Sequence, residues 1–288
     1  MLGAMERFGG WIPDKMYLRL YYLFHNRQLL HLNPPKTFNE KLQWLKLHDR
    51  NPLYTRLVDK YEVKDYVSKI IGSQYIVPTL GIWSKPDDIG FDELPNRFVL
   101  KTTHDGGGGG VLICNKSDLT TEIVKQWYQK SSAHNIYKTL REWPYKNVTP
   151  RIIAEEFIPQ FADSRAGLND YKFFCFNGEP KFCQVKTHGN NKECIDIFDM
   201  NWSLLPFSCL NPRHKHAERI PEKPKNFETM VGLARELCVV ARFSRVDFYN
   251  VDGKIYFGEI TFYPASGMGV FTPREYDNIV GRWLNVGE

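Results

Sequence analysis

Apolar residues recur at helical spacing from the start of the chain up to Gly72. The spacing predicts three helices, over "MYLRLYYLFHNRQLL", "TFNEKLQWLKLHD" and "YEVKDYVSKII", the last of them ended by Gly72. In the second helix the expected buried stripe consists of Phe38, Leu42, Trp44 and Leu45. The first helix is rich in aromatic and basic residues, which also suits a membrane surface. Its periodicity favours packing against its own protein.

Short apolar runs separated by turn residues dominate the chain after Gly72. Asn177-Gly178 and Asp252-Gly253 are strong signals for hairpin turns between neighbouring strands. Two long helical patterns interrupt the strands, "TTEIVKQWYQKSSAHNIYKTLREW" and "NFETMVGLARELCVVA". Runs of strands with flanking helices indicate an α+β protein and not an alternating parallel design. The predicted strands are "YIVPTL", "RFVLKTT", "GVLICNK", "RIIAEEFIP", "DYKFFCFNG", "PKFCQVKTHG", "IDIFDM", "FSRVDFYNV" and "KIYFGEITF".

Composition narrows the class of protein without naming a function. The 288 residues carry a formal net charge of +5, which suits an anionic ligand but is too mild to indicate nucleic acid. The six cysteines form no CxxC pair, so we expect reduced thiols in a cytoplasmic protein. No apolar run reaches transmembrane length, and we therefore expect no transmembrane segment.

Five consecutive glycines, residues 106–110, stand between two predicted strands. The sequence after them fits neither a P-loop nor the GxGxxG dinucleotide pattern, because no Lys-Ser or Lys-Thr pair and no helix follow. A glycine loop between strands can place backbone N–H groups against phosphate oxygens, and Lys101 can add a positive charge. The alternative is a flexible hairpin tip beside a surface lysine.

Two carboxylates near the C-terminus are a candidate cation site. Arg245 and Asp247 are two residues apart on one predicted strand and so share a face, and Glu259 lies on the next strand. Carboxylates on paired strands are ligands that Mg²⁺ uses when phosphate oxygens complete its coordination. A structural salt bridge among the three side chains is the alternative interpretation.

The glycine loop and the carboxylate pair together resemble the ATP-grasp superfamily, and the resemblance covers roughly residues 59–280. The phrases "PPKTFNEKLQWLKLHDRNPLYTRLVDKYEVKDYV" and "GEITFYPASGMGVF" are similar to its teichuronopeptide-biosynthesis (TupA-like) branch. The resemblance implies an α+β fold in which two α+β subdomains clamp ATP, preceded by a short helical N-terminal segment. The implied divisions are a helical segment over residues 1–58, a first subdomain over 59–154 with the glycine loop, and a second over 155–288 with the magnesium and acceptor sites.

The resemblance also implies roles for individual residues. Expected to hold ATP are two lysines, the glycine loop, the adenine-contacting strand and a ribose-binding acid: Lys60, Lys101, Gly106, Gly107, Gly108, Gly109, Gly110, Glu155, Glu156, Phe157, Ile158 and Asp170. Expected catalytic residues are Arg245, Lys186 and Lys172. Expected Mg²⁺ ligands are Asp247, Glu259 and Thr261, where Thr261 departs from the asparagine that the superfamily usually carries.

The implied activity is that of an ATP-dependent, ADP-producing ligase of bacterial capsular or cell-wall polysaccharide biosynthesis. It would join the carboxylate of a uronic acid to an amine through an acyl phosphate, with ATP and Mg²⁺ as cofactors. The expected partners are a uronic acid-containing sugar or polysaccharide precursor and an amine, and the expected location is the cytoplasm, with peripheral association at the inner face of the membrane left open. A sugar kinase of the same fold, a glycosyltransferase-associated protein and a non-enzymatic ATP or polysaccharide binder are the alternatives.

Overall fold

The structure is a computed structural model that describes residues 2–106, 109–158, 169–189, 192–210 and 216–287. The chain divides into two compact units, one of residues 51–159 and the other of residues 1–50 together with 160–288. This division groups residues 1–50 with the C-terminal half of the chain. The sequence instead predicts a separate helical segment over residues 1–58. The three predicted domains therefore stay a prediction about domain organisation.

The described residues form helices and strands in a mixed α+β order. The helices are α1 Leu2–Phe8, α2 Asp14–Asn26, α3 Phe38–His48, α4 Leu53–Val58, α5 Glu62–Ile71, α6 Thr121–Ser132, α7 Ile136–Leu140, α8 Phe227–Cys238 and α9 Glu275–Trp283. The strands are β1 Thr79–Trp83, β2 Arg97–Thr102, β3 Val111–Asn115, β4 Ile152–Glu156, β5 Asp170–Phe176, β6 Glu179–Gly189, β7 Lys192–Asp199, β8 Phe243–Val251 and β9 Lys254–Thr261. Among these described helices, none combines the length and the apolar character needed to span a membrane.

The unit of residues 51–159 is built on a four-stranded antiparallel sheet in the order β1-β4-β2-β3. Strands β2 and β4 are central and nearly fully buried, because their side chains pack on both faces of the sheet. Phe98, Leu100, Ile152 and Ala154 form the centre of its core, with Val124 of α6 packed against them. The core fixes β2 and β4 side by side, and the charged residues on these two strands are positioned by that pairing.

The other unit is built on a five-stranded antiparallel sheet in the order β7-β6-β5-β8-β9. Two hairpins of this sheet turn at Asn177-Gly178 and Asp252-Gly253, where all four residues have positive φ, as a two-residue hairpin turn requires. Helix α8 packs on strands β5, β6 and β8. The hairpins bring the polar positions of β5, β8 and β9 into register, which places the predicted carboxylates on adjacent strands.

Helix α3 joins the N-terminal residues to this unit. A capping box starts the helix, since the Thr37 hydroxyl accepts the N–H of Glu40 at 3.1 Å and the Glu40 carboxylate accepts the N–H of Thr37 at 3.0 Å. The first helical residue, Phe38, is fully buried and its ring lies 5.0 Å from that of Phe243 and 6.0 Å from that of Phe271. The N-terminal helices thus share the aromatic core of the second sheet.

The predicted stripe of α3 is confirmed at Phe38, Leu42 and Leu45, which are buried, whereas Trp44 is only half-buried. Two polar side chains of α3 are buried as well. Gln43 Nε2 donates to the carbonyls of Ser266 and Gly267, and Lys46 Nζ donates to the carbonyl and hydroxyl oxygens of Ser266. Hydrophobic spacing does not reveal such positions, because their burial depends on carbonyl acceptors more than 200 residues away along the chain.

Most of the predicted elements are confirmed, with differences at their ends. The strand predicted over "YIVPTL" begins only at Thr79, after Pro78, which cannot donate a ladder hydrogen bond. The long helical pattern after Thr120 is two helices, with α7 restarted by an Asn135 cap. All six cysteines are free thiols, as expected.

Replacing Phe38 by alanine is expected to destabilise the protein by about 3–5 kcal/mol, since the change removes a fully buried ring and leaves a cavity. The matched control is Phe24→Ala, because Phe24 of α2 is exposed and should cost less than about 1 kcal/mol. Urea unfolding followed by circular dichroism measures both changes. Equal losses of stability in the two variants would contradict a core role for Phe38.

Candidate active site

Most of the charged residues singled out in the sequence fall into two groups, one in each unit, and the structure adds Lys64 to the first of them. We call Lys60, Lys64, Lys101 and Glu155 the lysine cluster, which lies in the unit of residues 51–159. We call Asp170, Lys172, Arg245, Asp247 and Glu259 the acidic cluster, which lies in the other unit.

The lysine cluster is organised around the buried carboxylate of Glu155. Lys101 Nζ lies 2.5 Å from one Glu155 oxygen and Lys64 Nζ lies 2.5 Å from the other. Glu155 on β4 pairs with Val99 on β2, so Lys101, two residues further along β2, lies diagonally opposite on the same face. Strand pairing and helix α5 together therefore bring two positive charges to a single carboxylate.

Electrostatics keep this carboxylate ionised. Burial alone would raise the pKa of Glu155, but the positive charges of Lys101 and Lys64 outweigh it and hold the pKa below its ordinary value. Burial lowers the pKa of Lys64, since one carboxylate shared with Lys101 does not fully compensate for lost solvation. An anionic ligand that met these lysines would compete with Glu155 for them.

Lys60 lies beside the strand that leads into the glycine loop. Its N–H donates to the carbonyl of Thr103 at 3.0 Å, and its Nζ donates to the carbonyls of Thr102 and Asp105. The Asp105 side chain in turn accepts the N–H of Gly110 at 2.6 Å. Lys60 is thereby fixed at the base of the loop, close to the peptide groups that we expect to contact phosphate.

Three of the five glycines, Gly106, Gly109 and Gly110, are among the described residues, and Gly107 and Gly108 lie outside them. A Cβ on Gly110 would lie 2.1 Å from the Thr102 hydroxyl, and one on Gly106 would lie 2.8 Å from the Tyr145 hydroxyl. The Gly109 carbonyl accepts a hydrogen bond from the Ser131 hydroxyl at 3.3 Å. Gly110 therefore has no room for a side chain, because Thr102 and Asp105 pack directly against its backbone, whereas at Gly106 the nearest atom is the far end of the Tyr145 side chain.

The residues predicted to contact adenine follow Glu155 at the end of β4. Glu156 is exposed, Ile158 is buried, and the Arg97 guanidinium lies 4.1 Å from the centre of the Phe157 ring. The N–H of Glu156 donates to the Pro78 carbonyl at 3.0 Å. The structure therefore brings Glu155 directly to Lys101, while Phe157 is held against Arg97.

The acidic cluster lies on one face of the five-stranded sheet. Asp247 on β8 pairs with Lys172 on β5 and with Glu259 on β9, and Arg245 pairs with Thr261. Because side chains alternate between faces along a strand, residues that are direct partners or two apart share a face. The pairing therefore accounts for the assembly of residues that are widely separated in the sequence.

Arg245 connects the two carboxylates of this cluster. Its Nη2 lies 2.6 Å from Asp247 Oδ2 and 2.6 Å from Glu259 Oε1, and its Nε donates to Asp247 Oδ1 at 2.7 Å. Lys172 Nζ adds a contact of 2.7 Å to Asp247 Oδ2. The salt bridge left open by the sequence is thus present, and it involves the residues predicted to bind metal.

Asp247 is buried, and burial alone would raise the pKa of its carboxyl. The neighbouring Arg245 and Lys172 hold that pKa below its ordinary value. Asp170 behaves in the opposite way, because burial and the charge of Asp247 raise its pKa more than Lys172 lowers it. Asp247 is consequently the firmly ionised member of the pair.

Asp170 and Lys186 are direct partners across β5 and β6. Lys172 Nζ lies 2.5 Å from Asp170 Oδ2, whereas Asp170 Oδ1 is buried without a hydrogen-bond partner among the described residues. Lys186 forms its ion pair with Glu193 of β7. The predicted ribose-binding acid therefore joins the acidic cluster, and the predicted catalytic Lys186 lies one strand away from Lys172.

The donor set fits a hard divalent cation. Asp247 and Glu259 both approach the same nitrogen of Arg245, which shows that a positive charge is stabilised between them. The Thr261 hydroxyl donates to Glu259 Oε1 at 2.8 Å, so Thr261 orients the carboxylate that we expect to bind Mg²⁺. Within the described part of the chain, no group of three or more His, Cys, Asp or Glu residues forms a metal site by itself. A Mg²⁺ ion held by Asp247 and Glu259 would need phosphate and water oxygens to complete its coordination.

Sequence reasoning missed Lys64, which binds Glu155 as closely as Lys101 does. The available signal is its spacing of four residues from Lys60 in "DKYEVK". That spacing gives no indication of Glu155 as a partner, since the contact depends on how α5 packs against the sheet. Lys64 is therefore a residue that only the structure adds to the cluster.

A glycine loop between strands, two lysines at its base and carboxylates on paired antiparallel strands define the ATP-grasp class of proteins. The family model described as TupA-like ATP-grasp matches residues 40–285, and the chain belongs to this family. Membership confirms the predicted family and ATP-grasp fold. The predicted enzyme class and the predicted cofactors, ATP and Mg²⁺, fit this family membership. A search among curated proteins gives no match.

Several solved structures share part of this fold. The D-alanine–D-alanine ligase of Bacillus anthracis is 15% identical, with 78% of this chain and 62% of that chain covered and a TM-score of 0.44. The D-cycloserine synthetase DcsG is 14% identical, with 96% and 87% covered and a TM-score of 0.46. The D-alanine–D-alanine ligase of Helicobacter pylori is 13% identical, with 80% and 61% covered and a TM-score of 0.42. This chain spans about 62% of the length of the first of these ligases. Its own reaction, substrates and partners are therefore proposals.

Replacing Glu155 by glutamine is expected to lower the free energy of unfolding at pH 7 by about 3 kcal/mol, since two lysines lose their shared counter-charge in a buried site. The folded-state pKa of Glu155 lies below its ordinary value of 4.5, so the stabilisation is complete above that pH and is lost as pH falls through the folded value. The gap between wild type and variant should therefore narrow below about pH 4.5. Urea unfolding of both proteins at neutral and acidic pH measures this difference in the free energy of unfolding.

The matched control for this experiment is Glu156→Gln, which changes the exposed neighbouring carboxylate. It should alter stability by no more than about 0.5 kcal/mol at either pH. A Glu155→Gln protein as stable as wild type at pH 7 would contradict the charge arrangement described for the lysine cluster.

Proposed function

We propose that this protein is an ATP-dependent carboxylate–amine ligase of bacterial surface polysaccharide biosynthesis, which forms an amide between a uronic acid and an amine. The observation that carries the proposal is the acidic cluster, where Arg245 joins Asp247 and Glu259 on paired strands of a TupA-like ATP-grasp chain. Simple nucleotide binding requires fewer buried charges than this cluster contains. The choice of uronic acid and amine rests on the resemblance of the sequence to the TupA-like branch.

The lysine cluster is proposed to bind the phosphates of ATP. Lys60 and Lys101 supply positive charge, and the N–H groups of residues 106–110 supply neutral donors. Glu155 and the three residues after it, Glu156, Phe157 and Ile158, are proposed to line the adenine, and Asp170 to bind the ribose hydroxyls. The shared ion pair at Glu155 holds the Lys101 ammonium on the sheet face before ATP arrives.

The proposed chemistry overcomes the poor leaving group of a carboxylate. Transfer of the γ-phosphate of ATP to the carboxylate gives an acyl phosphate and ADP. Attack by the amine on the carbonyl then forms the amide bond, breaks the bond to phosphate and releases one proton. The first step brings two negatively charged groups together, and in the second step negative charge develops on the carbonyl oxygen as the neutral amine attacks. The protein must therefore supply charge neutralisation and alignment.

The acidic cluster is proposed to neutralise this negative charge through a bound Mg²⁺ ion and through its own cations, Arg245 and Lys172. Asp247 and Glu259 would hold Mg²⁺, with Thr261 orienting Glu259 and serving as the third proposed ligand. When bound, Mg²⁺ supplies Lewis-acid stabilisation of phosphate charge. Arg245 is proposed to face the oxyanion of the acyl-transfer step, and Lys172 and Lys186 to hold phosphate or substrate oxygens. Their contacts with carboxylates hold these cations in position in the structure.

The substrates proposed for this reaction determine the proposed location. ATP is supplied inside the cell, and we therefore place the enzyme in the cytoplasm. Its substrates there would be an amine and a uronic acid-containing sugar or polysaccharide precursor. Nucleic acid is not a proposed partner, given the mild net charge.

Replacing Lys101 by alanine is expected to weaken ATP binding by about tenfold to a hundredfold, the range for loss of one charge-assisted hydrogen bond. In a thermal-shift experiment, wild type with ATP and Mg²⁺ at 100 times the dissociation constant gains about 2.7 kcal/mol. The variant should gain clearly less at the same concentration. Lys125→Ala is the matched control, since Lys125 of α6 pairs with Asp87 on the surface. An unchanged ATP affinity in Lys101→Ala would remove Lys101 from the phosphate site.

The reaction itself is tested by ADP release with uronic acids and amines offered singly and in pairs, with mass spectrometry of the products. The expected result is ADP release that requires both substrates and a product that has lost one water relative to their sum. Glu259→Gln should reduce this turnover at least about tenfold, since it removes one charge while keeping the shape of the side chain.

The control is Glu228→Gln, a change at an exposed carboxylate that pairs with Lys223. It should leave turnover unchanged. ADP release with a sugar alone, accompanied by a phosphorylated sugar, would show a kinase and overturn the ligase proposal. Full activity in Glu259→Gln would remove Glu259 from the metal site.

A further inference from the structure

Helix α2 carries apolar residues on two opposite faces. Its inner face consists of Tyr17, Leu18, Tyr21 and Tyr22, all of them buried within their own unit. Its outer face carries Met16, Leu20 and Leu23 at the spacing of one helical stripe. Leu20 and Leu23 are half-buried and Met16 is exposed, so the described residues cover this apolar face only in part.

The outer face continues into the segments on either side of α2. Trp11 just before the helix is 82% exposed, Met16 is 57% exposed and Leu29 just after the helix is 67% exposed, and Phe24 is exposed as well. We call Trp11, Met16, Leu20, Leu23, Phe24 and Leu29 the outer patch. The other exposed large apolar residues are scattered over both units, as is normal for a protein surface, and are Val111, Ile113, Ile123, Leu204, Ile220, Val239 and Val270.

The charges around the outer patch are positive. Lys15, Arg19 and Arg27 are exposed within residues 11–29, where Asp14 is the single acidic residue. Asp14 is neutralised by Arg50, whose Nη2 lies 2.8 Å from it. The patch therefore combines an exposed indole and exposed aliphatic side chains with the exposed cations Lys15 and Arg19, whereas Arg27 lines a pocket together with Glu275 and Asp277.

We propose that the outer patch binds the surface of an anionic phospholipid membrane. Tryptophan and leucine side chains insert at the boundary between headgroups and acyl chains, and lysine and arginine bind anionic headgroups. Each basic residue near such a surface adds to the attraction. Binding through this patch would hold the enzyme where lipid-linked substrates are found, and it does not depend on the reaction proposed above.

Charge favours a membrane over a second copy of this chain as the occupant. A two-fold symmetric dimer brings the same patch together from both copies. Arg19 would then meet its own counterpart with no acidic residue of the patch to neutralise it. An anionic membrane instead complements the positive charge while it covers the apolar side chains.

Vesicle sedimentation tests the proposal with the full chain at low ionic strength. We expect the protein to bind vesicles of mixed phosphatidylcholine and phosphatidylglycerol and to bind pure phosphatidylcholine vesicles more weakly. The double variant Trp11→Ser, Leu29→Ser should lower the partition coefficient by about tenfold or more, because it removes the two most exposed apolar anchors. Arg19→Gln, a surface change that should not disturb folding, should lower it by about fivefold.

The matched control is the double variant Ile113→Ser, Val239→Ser, which removes exposed apolar side chains elsewhere, Val239 being 67% exposed like Leu29. It should bind vesicles as wild type does. Absence of binding to the anionic vesicles, or equal binding by wild type and both double variants, would overturn the proposal. A dimer detected by analytical ultracentrifugation and lost on Trp11→Ser, Leu29→Ser would assign the patch to a second copy and likewise overturn it.

Discussion

Both candidate clusters depend on the same constraint. Each contains a buried carboxylate that binds more than one cation. Glu155 binds Lys64 and Lys101, while Asp247 binds Arg245 and Lys172. Buried charges are tolerated only when they are paired and hydrogen-bonded, so these contacts fix side chains that would otherwise sample many rotamers. The cations are therefore held in place by their partners before any anionic ligand binds.

This arrangement has a chemical consequence for the proposed reaction. A phosphate that approaches Lys101, or a metal ion that approaches Asp247, must displace part of an existing ion pair. The displaced partner remains nearby because it is held by the same sheet. Exchange of one ionic partner for another costs less than the desolvation of an isolated charge, which suits a site that repeatedly binds and releases charged substrates.

The sequence allowed the family, the fold class and the main charged residues to be predicted, because these depend on local signals. The Asn177-Gly178 and Asp252-Gly253 turns, the glycine run and the two-residue spacing of Arg245 and Asp247 are all visible in a single stretch of chain. The partners were harder to predict. Lys64 with Glu155, and Lys46 with Ser266, meet through packing between distant segments, which hydrophobic periodicity does not encode.

The discontinuous unit has a consequence for how the chain folds during synthesis. Residues 51–159 leave the ribosome as one uninterrupted stretch and have their own core. This unit can therefore form all of its internal contacts as soon as residue 159 has been made. Helix α3 leaves before them, yet the aromatic rings that cover Phe38 belong to residues 176, 243 and 271. Helix α3 must therefore stay partly uncovered until residues 176–271 have been made, and a chaperone that shields apolar segments would act on it in that interval.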